Sequence, residues 1–199
     1  IDTYIAVVAD GHGDSACPRS SLGSEAAVNV SIEKLREFAE GFLQLDLNEQ
    51  YRLLGVPKNR EQQIRKLTDE ITVPGKDIHE DLVNNPLKEE ELNGCGRYAD
   101  RYINGERLEH IYGTTLIAAL QLPEYLILFQ QGDGRCDVFY SDGSIEQPIP
   151  WGKKFVKGIL ISVKIKAGFR KTQEASDHQQ TSNLRGWRFV DDLSTAEAV

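Results

Sequence analysis

A carboxylate and an imidazole lie in a glycine-rich turn directly after an apolar segment. Residues 4–9, Tyr-Ile-Ala-Val-Val-Ala, form a continuous apolar run that predicts a buried strand. The run stops at Asp10-Gly11-His12-Gly13-Asp14, where glycines would let backbone carbonyls approach a ligand closely. Oxygen donors held at a strand end are ligands that Mg²⁺ and Mn²⁺ prefer. We therefore predict a divalent-cation site at Asp10, and a plain polar turn is the alternative.

Two further groups of polar residues could serve the same chemistry. Tyr112-Gly113-Thr114-Thr115 leads into a β-rich region that turns at Gly132-Asp133-Gly134-Arg135, and Asp191-Asp192-Leu193-Ser194 follows much later in the sequence. Taken singly, a Gly-Asp-Gly turn is ordinary hairpin chemistry, and adjacent acids are usually solvated. Neither group is persuasive by itself, and it is their order along the chain, together with the Asp10 turn, that is informative.

In this order the stretches resemble the protein phosphatase 2C family, the metal-dependent Ser/Thr protein phosphatases of PPM type. The matching stretches are Ile5–Gly13 (IAVVADGHG), Gly113–Thr115 (GTT) with Gly132–Val138 (GDGRCDV), and Asp191–Ser194 (DDLS). The first two are fairly specific, whereas the last is short. The sequences of residues 112–115 (YGTT) and 131–134 (QGDG) look most like those of the bacterial branch of the family.

The resemblance implies both a fold and a metal centre. The fold would be α+β, a four-layer αββα sandwich of two antiparallel sheets flanked by helix pairs, with residues 1–199 as a single domain. Two or three Mn²⁺ or Mg²⁺ ions would lie at one edge of the sandwich. By the family pattern, Asp10 would bridge two ions, the Gly11 carbonyl would bind one, Asp191 would be the terminal ligand and Asp133 would hold a looser ion. His12 matches the proposed general acid.

The implied activity is hydrolysis of phosphoserine or phosphothreonine in proteins by a hydroxide that bridges the metals. Such monoesters are extremely slow to hydrolyse, so the site must stabilise a highly charged transition state. The Ser or Thr alkoxide is a poor leaving group, and a His with an ordinary pKa near ~6.5 can donate the proton it needs. No protein nucleophile is needed, so structural roles are expected for Cys17, Cys95 and Cys136.

Two departures from the family pattern leave rival functions open. No Arg-bearing strand precedes Ile1, and the strand-like run Ile159–Ser162 is followed by Val-Lys-Ile-Lys where the family has a metal-binding Asp-Gly. A catalytically impaired, phosphatase-like binding or regulatory module (a pseudophosphatase) is therefore the first rival. The second is a sugar- or nucleotide-binding α+β domain with an incidental Asp-Gly-His-Gly turn.

Composition excludes several classes of protein. A net charge of −8 argues against a broad electrostatic grip on nucleic acid or an anionic membrane, and no apolar run approaches the ~20 residues of a membrane span. Three cysteines without metal-type spacing fit a reducing cytoplasm, and we expect no signal peptide. The sequence contains no Met. Either modified methionines are omitted or the chain is a fragment with closed gaps, so we expect an N-terminal strand and some internal segments to be missing.

Helices are predicted after the Asp10 turn. Ser24 would cap a helix that runs to about Leu45 and buries Val28, Ile32, Leu35, Ala39 and Phe42 on one face. Residues 46–112 are polar and poorly patterned, and they could include an insertion. Within them, Asn59 with Gln62 resembles a capping box before the apolar stripe Ile64, Leu67 and Ile71, and the helix would end at Pro74-Gly75. Glu89, Glu90 and Glu91 are expected to form a solvated helix face.

Strands dominate the second half. Residues 114–120, 125–131 and 135–140 are predicted to form an antiparallel meander, with a hairpin turn at Ser141-Asp142-Gly143. Residues 159–163 and part of 189–199 are further strand candidates. Arg19 is expected to be solvated, and His79, His110 and His178 are expected on the surface.

Overall fold

The structure is a computed structural model that describes residues 3–72, 76–140, 143–149, 157–162 and 188–190. For residues 76–77, 157–162 and 188–190 it describes the backbone alone. Asp191, His178 and residues 163–187 therefore lie outside the described residues.

A five-stranded antiparallel sheet is the centre of the fold. Its strand order is β6-β3-β2-β1-β7. The strands are β1 (Tyr4–Val8), β2 (Leu116–Gln121), β3 (Tyr125–Gln131), β6 (Lys157–Ser162) and β7 (Arg188–Val190). Ala6 of β1 lies opposite Ala119 of β2, so the first strand pairs with a strand more than 100 residues later. This pairing brings the turn after β1 to the start of β2.

Two long helices cover one face of the sheet. They are α1 (Ser20–Leu43) and α3 (Pro57–Thr72), which pack on each other and on the strands. Alternate strand residues and the predicted helix stripes share one core. Its buried members include Ile5, Val7, Leu120, Ile127 and Phe129 of the strands, Ile32, Leu35, Ala39 and Phe42 of α1, and Ile64, Leu67 and Ile71 of α3. The predicted apolar stripes are thus confirmed.

Shorter helices fill the chain between α1 and β2. They are α2 (Leu47–Gln50), a π-helical turn (Tyr51–Gly55), α4 (Lys76–Asn84), α5 (Glu89–Gly94), α6 (Ala99–Ile103) and 3₁₀ turns at Gly96–Tyr98 and Leu108–Tyr112. A second, smaller core of Cys95, Tyr102, Ile111 and Tyr112 holds the last of these together. No described helix combines the length and apolar content that a membrane span requires.

Two predicted helix starts are wrong. Helix α1 begins at Ser20, and the Ser24 hydroxyl donates to the Ser21 carbonyl within the helix at 2.9 Å. Helix α3 begins at Pro57, and the Asn59 side chain donates to the Arg52 carbonyl at 2.8 Å. Pro at the first helical position loses no hydrogen bond, so it starts the helix without a side-chain cap. A capping box with an acidic N-cap is found instead at the start of α2, where Asp46 pairs with Glu49.

The predicted meander is also wrong in its third strand. Strand β4 is only Val138–Phe139, and it pairs with β5 (Ile145–Glu146) in a separate two-stranded hairpin. The free edge of β3 is instead taken by β6, with Leu126 opposite Ile161. The predicted hairpin between residues 140 and 144 is confirmed by the bond from the Tyr140 amide to the Ser144 carbonyl at 2.9 Å.

The mixed helix-and-sheet class is confirmed. The described residues contain one five-stranded sheet with helices on a single face and a small separate hairpin. Within those residues the second large sheet and second helix pair of the predicted four-layer sandwich are not seen. The sandwich stays a prediction of the resemblance.

Candidate active site

The Asp10–Asp14 loop is fixed to the start of β2 by backbone hydrogen bonds. The Thr115 amide donates to the Asp10 carbonyl, and the His12 amide donates to the Gly113 carbonyl, both at 2.9 Å. These bonds place Gly11 opposite Thr114 in an isolated antiparallel bridge. The Thr114 hydroxyl also donates to the Asp10 carbonyl at 3.0 Å. The loop therefore continues the β1–β2 ladder beyond the strand and then turns away.

The side chains of this loop are presented to solvent. Asp10, His12 and Asp14 are all exposed. The described hydrogen bonds at Asp10 all use its backbone carbonyl, so they fix the loop and leave the carboxylate oxygens available to a cation. Asp14 ends the turn, because its carboxylate accepts from the Ala16 amide at 2.9 Å. A rigid backbone thus carries accessible oxygen and imidazole groups.

Gly113 makes room for His12. A Cβ atom built on Gly113 would lie 2.5 Å from the His12 Nδ1 atom and 2.9 Å from the Cys17 Sγ atom. Real Cβ contacts essentially never fall below 3.0 Å. Glycine at this position therefore lets the imidazole lie directly against the backbone that holds its own amide.

The Gly132–Gly134 turn lies beside the same strand start. Gly132 adopts a positive φ of 92°, and a Cβ atom there would lie 2.8 Å from the Thr115 Cγ2 atom. The Gln130 side-chain amide donates to the Gly134 carbonyl at 2.6 Å and closes the turn. Asp133, at the centre of the turn, is exposed. Asp133 thus belongs to a turn that contacts Thr115, the residue whose amide holds Asp10.

A partly buried ion cluster lies behind the loop, and we call Arg19, Asp81, Glu91 and Tyr112 the Arg19 cluster. Arg19 is only 7% exposed. Its guanidinium donates to both Glu91 carboxylate oxygens at 2.8 and 3.0 Å, to Asp81 at 2.9 Å and to the Tyr112 hydroxyl oxygen at 3.3 Å. The Tyr112 hydroxyl in turn donates to Asp81 at 2.5 Å. The expectation of a solvated Arg19 is wrong, and so is that of a wholly solvated Glu91.

The cluster shifts the ionisation of its members. The hydrogen bond from Arg19 lowers the pKa of Glu91, and that from Tyr112, followed by those from Asn85 and Arg19, lowers the pKa of Asp81. Burial, followed by the hydrogen bond to Asp81, raises the pKa of Tyr112 to about 12. At neutral pH the cluster therefore holds one guanidinium between two carboxylates.

His110 makes contacts that the sequence does not predict. It is half-buried, its Nδ1 atom lies 2.7 Å from the Tyr102 hydroxyl oxygen, and its ring stacks on Tyr98 at 5.1 Å between centroids. The Tyr102 hydroxyl donates to the Ala16 carbonyl at 2.8 Å, so this group too supports the end of the loop. His79 is exposed as predicted.

The order of these features along the chain matches a known family. The family model described as protein phosphatase 2C matches residues 2–162, which is more than half of the chain. The chain belongs to the protein phosphatase 2C family. Searches of curated proteins and of solved structures find no match. The matched range contains Asp10, His12 and Asp133, whereas Asp191 lies beyond it.

The described part of this phosphatase 2C domain offers an incomplete set of metal donors. Asp10 supplies a carboxylate and Gly11 a carbonyl, both oxygen donors that suit Mn²⁺ or Mg²⁺. No group of three or more His, Cys, Asp or Glu side chains within the described residues is arranged to hold a metal ion. Asp191 lies outside those residues, and the sequence has no acid at 163–166 after β6. The donors present fit a hard cation and require partners from elsewhere in the chain.

Proposed function

We propose that this phosphatase 2C protein is a metal-dependent protein serine/threonine phosphatase. The supporting observation is the Asp10–His12 loop, which is anchored through its backbone to Gly113–Thr115 and exposes both its carboxylate and its imidazole. Family membership supports a phosphatase with phosphorylated protein substrates. The specificity for Ser and Thr, the metals and the residue roles are our proposals.

The proposed ligands are Asp10, Gly11, Asp133 and Asp191. Asp10 and the Gly11 carbonyl belong to the anchored loop, and Asp133 belongs to the turn that contacts Thr115. Mn²⁺ or Mg²⁺ ions, when bound, would supply a water of lowered pKa and positive charge for the phosphoryl oxygens. An aspartate on a fixed backbone loses little freedom when it binds a cation, so the anchoring favours affinity.

His12 is the proposed proton donor. It lies two residues beyond Asp10, is exposed to a substrate, and has its amide held by the Gly113 carbonyl. A protonated imidazole can donate a proton to the departing Ser or Thr oxygen, which is too basic to leave unassisted. Gly113 sets where the ring can lie, because a larger residue would occupy the same space.

The test is hydrolysis of a phosphothreonine peptide by the full chain with Mn²⁺, with and without chelator. We expect chelator to abolish turnover, and we expect Asp10→Asn to lower kcat/KM by more than ~100-fold because a direct ligand is lost. Asp100→Asn is the matched control, since Asp100 is exposed on α6 and has no described contact with the Asp10–Asp14 loop. Chelator-insensitive turnover, or full activity in Asp10→Asn, would refute the proposal.

A pseudophosphatase is the second candidate. It is favoured by the absence, within the described residues, of a three-donor metal group and by the sequence Val-Lys-Ile-Lys after β6. Calorimetry with Mn²⁺ discriminates: binding at two sites excludes this candidate, whereas no binding together with no turnover supports it. The incidental-turn alternative loses its basis, because the Asp10 turn lies inside the family match.

The proposed compartment is the cytoplasm. Cys17, Cys95 and Cys136 are all free thiols, which fits a reducing environment. The bacterial branch of the family likewise stays a prediction of the Tyr112–Thr115 and Gln131–Gly134 spelling.

A further inference from the structure

The Arg19 cluster connects segments that are far apart in sequence. Arg19 directly precedes α1 and follows the Asp10–Asp14 loop in the chain, whereas Asp81 belongs to α4 and Glu91 to α5. The same guanidinium also donates to the backbone carbonyls of Asn85 at 2.7 Å and Pro86 at 3.3 Å, in the link between those helices. One side chain thus docks the whole 81–91 segment against the loop.

Two connections lead from this cluster to His12. The Arg19 amide donates to the Ile111 carbonyl at 3.0 Å, which ties the end of the loop to the turn before β2. Tyr112, a member of the cluster, is followed at once by Gly113, whose carbonyl accepts from the His12 amide. The Tyr112 carbonyl packs so closely on Gly23 of α1 that any Cβ there would overlap it. A shift of Arg19 would therefore be transmitted to both sides of the loop.

Stability alone explains this arrangement poorly. A buried guanidinium and two part-buried carboxylates lose solvation, and their attraction often does no more than offset that loss. A planar guanidinium with a two-point contact to Glu91 does fix the relative geometry of its partners. The cluster is better suited to defining position than to adding stability.

We propose that Arg19 is a positioning residue for the Asp10–Asp14 loop, which it fixes by docking the 81–91 segment and Tyr112 behind it. The inference rests on the proposed function for its catalytic consequence, although its structural part does not depend on metal binding. Arg19 touches neither metal nor substrate in this account, and it acts through the backbone that carries Asp10 and His12.

The first test is amide hydrogen exchange on the metal-free full chain. Arg19→Met should speed exchange of the His12 and Thr115 amides by ~10-fold or more, because their acceptors belong to the loosened loop and turn. Amides in the β2–β3 ladder should be unchanged. Lys34→Met is the matched control, since it removes two exposed ion pairs, with Glu33 and Glu37, on α1, the helix that Arg19 precedes. Equal exchange at His12 in Arg19→Met and in the parent protein would overturn the proposal.

A second variant separates positioning from simple charge balance. Arg19→Met leaves two carboxylates without their cation and could unfold the chain, so it is combined with Asp81→Asn and Glu91→Gln. If Arg19 positions the loop, this triple variant regains the melting temperature of the parent while the His12 and Thr115 amides still exchange fast. If loop protection returns together with the melting temperature, the role is only structural and the proposal is wrong. Arg19→Lys keeps the positive charge but loses the two-point contact with Glu91. Its His12 and Thr115 amides should exchange at rates between those of the parent protein and Arg19→Met.

Calorimetry with Mn²⁺ on the same proteins connects the loop to the metal. We expect the triple variant to bind Mn²⁺ about 10–100-fold more weakly than the parent, the range found when groups that orient metal ligands are lost. If the parent protein itself binds no Mn²⁺, the proposed function fails, and the exchange experiment still decides the role of Arg19. Unchanged Mn²⁺ affinity in a triple variant with a loosened loop would overturn the catalytic part of the inference.

Discussion

Replacement of Gly113 by Ala should impair both catalysis and stability. The new Cβ atom would start 2.5 Å from the His12 Nδ1 atom and 2.9 Å from the Cys17 Sγ atom. Carbon contacts are favourable only at ~3.5 Å or more, so the imidazole must move by about 1 Å. Gly113 has a φ of −50°, which Ala adopts without strain, so the contacts alone determine the effect.

A displacement of this size has different consequences for the two neighbours. His12 is exposed and can move away at little cost in folding, whereas Cys17 is buried and resists displacement. We expect a loss of about 1–3 kcal/mol in the free energy of unfolding, as for other overpacked sites. A 1 Å error in the position of a reacting group can lower the rate by ~100-fold, so kcat should fall by that order.

The assay is steady-state hydrolysis of a phosphothreonine peptide with Mn²⁺, beside thermal unfolding of the same samples. Gly41→Ala is the matched control, because a Cβ atom on Gly41 meets nothing within 4 Å and lies inside α1. It should leave kcat unchanged and raise stability by ~0.5–1 kcal/mol. An unchanged kcat in Gly113→Ala would show that His12 does not need its place against Gly113.

Other predictions concern the contacts behind the loop. Gly23→Ala should lower the melting temperature and loosen the turn at Tyr112, because its Cβ would overlap the Tyr112 carbonyl; calorimetric unfolding checks this, and an unaltered transition contradicts the close packing. Tyr112→Phe removes a donor to Asp81 and should cost about 2 kcal/mol in urea unfolding, whereas no change would mean that this bond contributes nothing. Because the pKa values of Asp81 and Glu91 are lowered on folding, the unfolded chain binds more protons below pH ~4–5; stability should fall as pH drops through the lowered pKa values, and removing both carboxyls should flatten that slope.

Local patterns predicted the parts of the fold that position the loop. The apolar run before Asp10 and the stretch 125–131 became β1 and β3, because continuous β-rich runs bounded by turns have few other buried conformations. The apolar stripe of α1 is equally predictable, since the spacing of Ile32, Leu35, Ala39 and Phe42 places them on one buried face. That the Asp10 and Gly132–Gly134 turns belong to one site was implied by the family resemblance and not by any local pattern.

Long-range pairing was the part that local patterns could not predict. The tight turn at Gly132–Gly134 predicts that residues 135–140 form the third strand of the meander and pair with β3. In the structure β6 pairs with β3 instead. Gly-Asp-Gly indicates a turn but says nothing about which strand follows it back onto the sheet. The predicted helix starts are wrong for a related reason. Ser24 and Asn59 are good N-cap residues by type, yet both lie inside helices that begin earlier.

Arg19 was misjudged because its burial depends on distant partners. Asp81 and Glu91 lie 62 and 72 residues away, in a region that looks polar and unpatterned. An arginine is almost never buried unless it is paired, so a sequence that shows no nearby partner predicts a solvated Arg19. The one available signal is the position of Arg19 between the Asp10–Asp14 loop and α1. A long side chain at such a junction has to pack against the neighbouring segment of the chain.

The poorly patterned region between α1 and β2 therefore has a definite relation to the site. A loop built on glycines has little side-chain packing of its own, so its backbone must be held by neighbouring segments. The first layer of support is the Gly113–Thr115 backbone, and the second is the Arg19 cluster, which draws two of its four members from α4 and α5. In the sequence Asp81 and Glu91 look like solvated helix residues, because they add little apolar surface to the stripe of a buried helix face. Their effect is geometric, and a substitution at Asp81 should accordingly resemble one at Arg19, in amide exchange at His12, more than a substitution at an exposed acid of the same helices.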